Sequence, residues 1–183
     1  MNDDDYKLAE RLQPLEIEEL VRRYWHDVWQ YAYFLTRQHH LAEDVAQETF
    51  VKAIRSIDSF RGQCPIKNWL LKIARNTALN AIRSMFLRKV SLVGLFVNNQ
   101  TTSVPSAEAT FWDANLTDEI WETVLQLPRE QREILVLYAH YMWSYREISD
   151  LLEVGEGTVK SRLHRARAKL AKRMKERGDE DDG

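Results

Sequence analysis

Five basic side chains, Lys160, Arg162, Arg165, Arg167 and Lys169, crowd a short segment that also carries Val159, Leu163, Ala166 and Leu170. The apolar positions recur at spacings of four, three and four, which stacks them on one side of a 3.6-residue turn and leaves the cations on the other. Guanidinium and ammonium groups arrayed this way can neutralise phosphates and donate to the edge of guanine. Upstream, Tyr145 to Leu152 has an apolar stripe of its own, and Glu153-Val154-Gly155-Glu156-Gly157 joins the two as a glycine-bearing turn. A helix, a short turn and a basic helix beginning near Thr158 predict a helix-turn-helix that reads a DNA major groove.

The rest of the chain must position that surface. The full chain of 183 residues is 44% hydrophobic and 30% charged, with six Trp and seven Tyr, enough for a packed core in one or two domains. Gly and Pro are few and β-like runs are short, so an all-α chain is expected. Net charge is −2, but nine of 26 basic residues and only one of 28 acidic ones lie between Lys160 and Arg177, leaving the remainder at −10. Positive charge is placed rather than spread, which suits a protein that holds DNA through one patch and another macromolecule elsewhere. The single cysteine, Cys64, excludes an internal disulfide framework and a cysteine-rich zinc site and fits a reducing compartment. Met1 to Asp5 is acidic where a secretory signal is basic, and Val90 to Val97 is too short to span a membrane. A cytoplasmic protein without membrane insertion is expected.

Periodicity predicts a helix from Pro14 to Thr36, a break at Gln38-His39-His40, and a second helix from Leu41 to Ile54. Leu41, Val45, Phe50 and Ile54 would face the core, with Glu43, Asp44, Gln47, Glu48 and Lys52 outward. Gly62 and Pro65 mark a loop. Ile66 to Arg83 is a third helix, and the pattern fails after Met85. Asn98 to Ser106 reads as a flexible linker. Helix resumes from Leu116 to Leu127, begun by a Thr117 cap, and Pro128 suits the first turn of another helix from Arg129 to Tyr141. The acidic tail from Gly178 is expected to fray. The resulting plan is a helical domain at 14–86, a linker at 87–114, a smaller helical domain at 115–177 and a tail at 178–183.

Two separated segments carry a more specific signal. One is Ala42-Glu43-Asp44-Val45-Ala46-Gln47-Glu48-Thr49-Phe50, with Phe60-Arg61-Gly62 and Trp69-Leu70-Leu71-Lys72-Ile73-Ala74-Arg75-Asn76 after it. The other is Leu127-Pro128, then Glu147-Ile148 and Gly157-Thr158-Val159-Lys160-Ser161-Arg162. In this order the chain resembles the extracytoplasmic-function (ECF) group of sigma-70 family sigma factors, from roughly Ile17 to Lys175. The resemblance implies two helical domains, sigma domains 2 and 4, binding to core RNA polymerase through its β′ and β subunits, recognition of promoter DNA, and control by an anti-sigma factor that could hold the protein at the membrane.

It also implies roles for residues. Asp44, Gln47 and Glu48 match a surface that docks on a basic coiled coil of β′, where acid against base fixes register. Phe60, Arg61, Lys67, Asn76, Asn80 and Arg83 match the part that opens and reads the −10 element, with Asn76 beside a flipped-base pocket. Trp69 shares a face with Ile73 and is expected in the core. Lys160, Ser161, His164 and Arg165 match positions facing the −35 element. Arg146, Thr158, Arg162, Arg167 and Lys169 are expected on phosphate. Ser149 stands where the family usually has alanine and fits if its hydroxyl bonds back to a carbonyl. Val90 to Val97 is more apolar than this linker usually is. A stand-alone helix-turn-helix regulator would explain the basic helix but not the segment from Ala42 to Asn76. An enzyme using His39, His40, Asp44 and Glu48 lacks a known metal spacing or an activated nucleophile. No catalytic residue, metal or cofactor is expected.

Overall fold

The structure, a computed structural model, describes the backbone of residues 14–93 and 118–181 and the side-chain surroundings of residues 17–88 and 120–176. Every regular element among them is helical, and the chain divides into two compact units, Met1–Asn98 and Asn99–Gly183.

The first unit contains α1 (Pro14–Thr36), α2 (His39–Ser56), a 3₁₀ turn (Ile57–Ser59) and α3 (Ile66–Val93), and the three α-helices pack pairwise. Leu20, Tyr24, Val28, Tyr31 and Leu35 of α1 meet Val45, Ala46 and Phe50 of α2 and Leu70, Ala74 and Ala78 of α3, all buried. Trp25 stacks on Phe50 with ring centroids 5.8 Å apart. Two buried hydroxyls are satisfied within their own helices: Thr49 donates to the Val45 carbonyl at 2.6 Å and Thr36 to that of Ala32 at 2.9 Å.

Three expectations need correction here. The break between the first two helices is Arg37-Gln38, not Gln38 to His40. Arg37 takes a left-handed φ of 58° and Gln38 is extended, so two residues reverse the chain and His39 and His40 already belong to α2. The buried arc of α2 is Ala42, Val45, Ala46, Thr49, Phe50 and Ala53, which places Ile54 one residue past the core. Ile54 is 36% exposed and its neighbour Val51 40%. Third, α3 runs past Arg83 to Val93, because no Gly or Pro interrupts it before Gly94. Val90 to Val93 of the apolar stretch therefore continues a helix. Gly94 to Val97 and the polar run from Asn98 to Ser106 lie outside the described residues.

The second unit contains α4 (Asp118–Leu125), α5 (Arg129–Ala139), α6 (Tyr145–Leu152) and α7 (Glu156–Asp181), with α7 packed on the other three. Leu116 and Thr117 lie outside the described residues. Trp121, Val124, Leu127, Ile134, Leu137, Ile148, Val159 and Leu163 form the core. Arg132, only 3% exposed, donates to the carbonyls of Leu125 at 2.8 Å and Leu127 at 2.9 Å. Its guanidinium thereby closes the C-terminal end of α4, whose last carbonyls have no helical partner. Pro128 sits at the N-cap of α5. Ser144 and Glu147 form a capping box at α6: the Glu147 N–H donates to the Ser144 hydroxyl at 3.2 Å and the Ser144 N–H to the Glu147 carboxylate at 2.8 Å. At the far end, α7 stays helical through Asp181, where the acidic composition predicts fraying from Gly178.

Candidate nucleic-acid interface

Local interactions in the second unit set where α7 begins and leave one arc of it exposed. The turn before it is set by Glu153, left-handed at φ 55°, whose N–H bonds back to the Ser149 carbonyl. The Ser149 hydroxyl donates forward to the Val154 carbonyl, across the turn, rather than back within α6 as expected. A Cβ on Gly155 or Gly157 would meet no atom within 4 Å, so these glycines leave open backbone at the start of α7 rather than making the turn. Helix α7 begins at Glu156, so Thr158 lies inside its first turn.

Val159, Leu163 and Ala166 are buried, while Lys160, Ser161, His164, Arg165 and Arg167 are exposed on the opposite arc. Arg146 of α6 is exposed as well, and Thr158 is half-buried. The cations of α7 are not loose. Arg162 pairs with Glu130 of α5 at 3.2 Å. The guanidinium of Arg167 lies 4.8 Å over the Tyr138 ring, and the Lys160 ammonium 5.5 Å from the centre of the Tyr145 ring. Arg165 donates through Nε to the Ser161 carbonyl at 3.3 Å. Tyr138 and Tyr145 are themselves stacked, with centroids 5.3 Å apart. A side-chain hydrogen bond from Tyr145, then one from Arg167, holds the Tyr138 hydroxyl below its ordinary pKa, and the same bond pushes that of Tyr145 up. Two tyrosines from two helices thus support two cations of a third. Neither tyrosine is legible as functional in the sequence, because they sit on different helices and share no periodicity with α7.

The first unit offers a different surface. Asn76, Asn80 and Arg83 are exposed on α3, at the helical spacings that align side chains along one stripe. Lys72, also exposed and four residues before Asn76, extends that stripe; its spacing signals it, although the family resemblance does not single it out. Phe60 packs on Trp69 at 4.9 Å between centroids, and both rings are half-buried. Trp69 is therefore a backing for Phe60 as much as a core residue. Arg61 is exposed, beside Gly62 in a left-handed φ of 67°. Lys67 stands apart from the stripe, paired with Asp27 of α1 at 2.6 Å.

Asp44, Gln47 and Glu48 are exposed together on α2. Glu48 pairs with Lys52 at 3.4 Å, an exposed contact of the kind worth about 0.3–0.5 kcal/mol. Exposed Val51 and Ile54 extend this face, so it offers acid groups with an apolar flank. Among the described residues no helix is long and apolar enough to cross a membrane.

Comparison with known proteins gives the same division. Residues 20–85 match the family model for sigma-70 region 2, and residues 117–170 that for sigma-70 region 4. The RNA polymerase sigma factor YlaC of Bacillus subtilis (strain 168) is 31% identical over 167 residues, spanning 90% of this chain and 95% of the relative. The ECF RNA polymerase sigma factor SigM of the same organism is 31% identical over 172 residues, 92% of this chain and all (100%) of the relative. Among solved structures, the sigma factor RpoE of Bartonella quintana, in complex with the anti-sigma factor NepR, is similar at a TM-score of 0.71 and 27% identity, covering 87% of this chain and 97% of that one.

Proposed function

The chain belongs to the ECF group of the sigma-70 family, and from that premise we propose that it carries no reaction of its own but binds core RNA polymerase and places it at promoters. The observation that carries this reading is a pair of unlike exposed surfaces on two separate compact units of one chain. One is a cationic helix in a helix-turn-helix, the other an exposed amide stripe beside a paired aromatic loop.

In this reading α7 enters the major groove at the −35 element. Lys160, Ser161, His164 and Arg165 lie on the exposed arc that would meet base edges, and a well-placed cation on guanine discriminates by about 1–3 kcal/mol. Arg146, Thr158, Arg162, Arg167 and Lys169 hold phosphates. Arg162 reaches DNA by exchanging Glu130 for a phosphate. The first unit acts on the −10 element once the strands separate. Phe60, backed by Trp69, gives an unstacked base a ring to lie on, worth about 1–3 kcal/mol. Asn76 and Asn80 can donate and accept, which suits reading a flipped base, and Arg61, Lys67, Lys72 and Arg83 hold the displaced backbone. Asp44, Gln47 and Glu48, flanked by Val51 and Ile54, dock on polymerase. Control by an anti-sigma factor follows from the family, and the similar RpoE was solved with one bound. A cytoplasmic location fits partners of this kind.

Transcription reconstituted from purified chain, core polymerase and a promoter library tests the reading. Discrete start sites that require both the chain and polymerase are expected. Tight sequence-specific duplex binding by the chain alone, with no promoter-dependent transcripts, would establish a stand-alone regulator instead.

A further inference from the structure

The first turn of α2 holds a group of side chains that promoter reading does not use. His39, His40 and Glu43 are all exposed, and one potential ligand atom from each lies within 4.8 Å of the others. Helix geometry explains the grouping: Glu43 is four residues from His39 and three from His40, so it neighbours both on the helix surface. The His39 imidazole meets Trp29 of α1 edge-on at 5.0 Å, and Trp29 stacks on Tyr33 at 5.6 Å. One ligand is thereby leaned against a wall of rings, while the His40 ring stands edge-on to it at 5.9 Å.

Two imidazoles and one carboxylate form the donor set of open zinc sites, in which solvent completes the coordination. Imidazole favours zinc, nickel or copper over magnesium and calcium, which take oxygen ligands. Tetrahedral zinc with bonds of about 2.0–2.1 Å needs donor atoms about 3.4 Å apart. Rotation of three exposed side chains closes the remaining distance. The positive end of α2 opposes a cation, and the carboxylates of Glu43 and the adjacent Asp44 offset that opposition.

We propose that His39, His40 and Glu43 form a surface site for a zinc-type divalent cation, and that its occupancy weakens docking of α2 on polymerase. The ion neutralises Glu43 and adds positive charge one residue from Asp44, on a helix whose acid groups face a basic partner. This coupling rests on the reading of α2 as the polymerase-docking face; the metal site does not.

Calorimetric titration of the full chain with zinc chloride, with magnesium chloride as control, tests the site without polymerase. One zinc per chain and no response to magnesium are expected. His40→Ala or Glu43→Gln should weaken binding by more than the roughly 10–100-fold that loss of a ligand's supporting partner costs, whereas His26→Ala on α1 and Cys64→Ser should not change it. Absence of saturable zinc binding, or binding unchanged in the His40→Ala/Glu43→Gln double variant, would overturn the site. Association with core polymerase, measured with and without zinc, then tests the coupling. Zinc should weaken association of the wild-type chain and leave that of the double variant unaltered. An equal response in both would overturn the coupling while leaving the metal site in place.

Discussion

The two proposed reading surfaces differ in how firmly their groups are held. On α7 the cations have partners in the free protein: Arg162 on Glu130, Arg167 on Tyr138, Lys160 on Tyr145 and Arg165 on the Ser161 carbonyl. On α3 the side chains of Asn76, Asn80 and Arg83 stand exposed, while Phe60 packs on Trp69 and Lys67 pairs with Asp27 beside them. A duplex has a fixed groove, so a reader gains from holding long cationic side chains near their bound positions and losing less rotamer freedom on contact. A melted strand has no fixed shape. Short amides lose little freedom when they adapt to it, and the aromatic pair supplies sequence-tolerant stacking.

This contrast can be broken at several points. The largest effect is expected at Arg132, whose loss removes the donor from the buried Leu127 carbonyl and the part-buried Leu125 carbonyl. Arg132→Ala should destabilise the second unit by about 3 kcal/mol, since each hydrogen bond to a charged group contributes about 1.5–3 kcal/mol. Urea unfolding followed by far-UV circular dichroism would show it, with the first unit's transition unmoved. Next, Phe60→Ala in the polymerase complex should cost about 1–3 kcal/mol on single-stranded −10 DNA and nothing on a duplex −35 fragment. Equal losses on both would erase the contrast. Third, Tyr138→Ala frees Arg167 and removes a cation–π contact of about 0.5–1 kcal/mol. Duplex affinity should fall about two- to fivefold with the salt slope unchanged, because no phosphate contact is removed, whereas Arg167→Ala should lower that slope by about one. A steeper loss with Tyr138→Ala than with Arg167→Ala would show that the tyrosine touches DNA directly. The smallest effect is at Met142, which is 80% exposed with φ at 58°. Met142→Gly relieves a left-handed residue at no packing loss and should raise stability by about 0.5–1 kcal/mol.

Much of this architecture is legible in the amino-acid sequence. The alternation of Val159, Leu163 and Ala166 with cations gives α7 its two faces, because burial and helical period act on the same residues. The resemblance of two distant segments to one family gives the division into two units. What is not legible depends on tertiary placement. Nothing in the sequence links Tyr138 and Tyr145 to Arg167 and Lys160, or Lys67 to Asp27. The left-handed turn before α7 is hidden because Gly155 and Gly157 look like its formers while Glu153 takes that conformation, and Arg37 takes one with no glycine or asparagine to signal it. The helical start at His39 is hidden by its polar residues, although the chain needs only Arg37-Gln38 to reverse. Ser144 and Glu147 do carry a local signal for the start of α6, a serine followed three residues later by glutamate, which periodicity alone does not reveal.

The proposed division of labour between the two units is tested most directly by crossing two variants with two probes. Core polymerase carrying wild-type, Asn76→Ala or Arg165→Ala chain would be titrated against a duplex −35 fragment and a single-stranded −10 fragment of one mapped promoter. Arg165→Ala should weaken the duplex complex by about 1–3 kcal/mol and leave the single strand alone, and Asn76→Ala should do the reverse. If either variant weakened both complexes alike, the two units would not be separate readers of duplex and melted DNA.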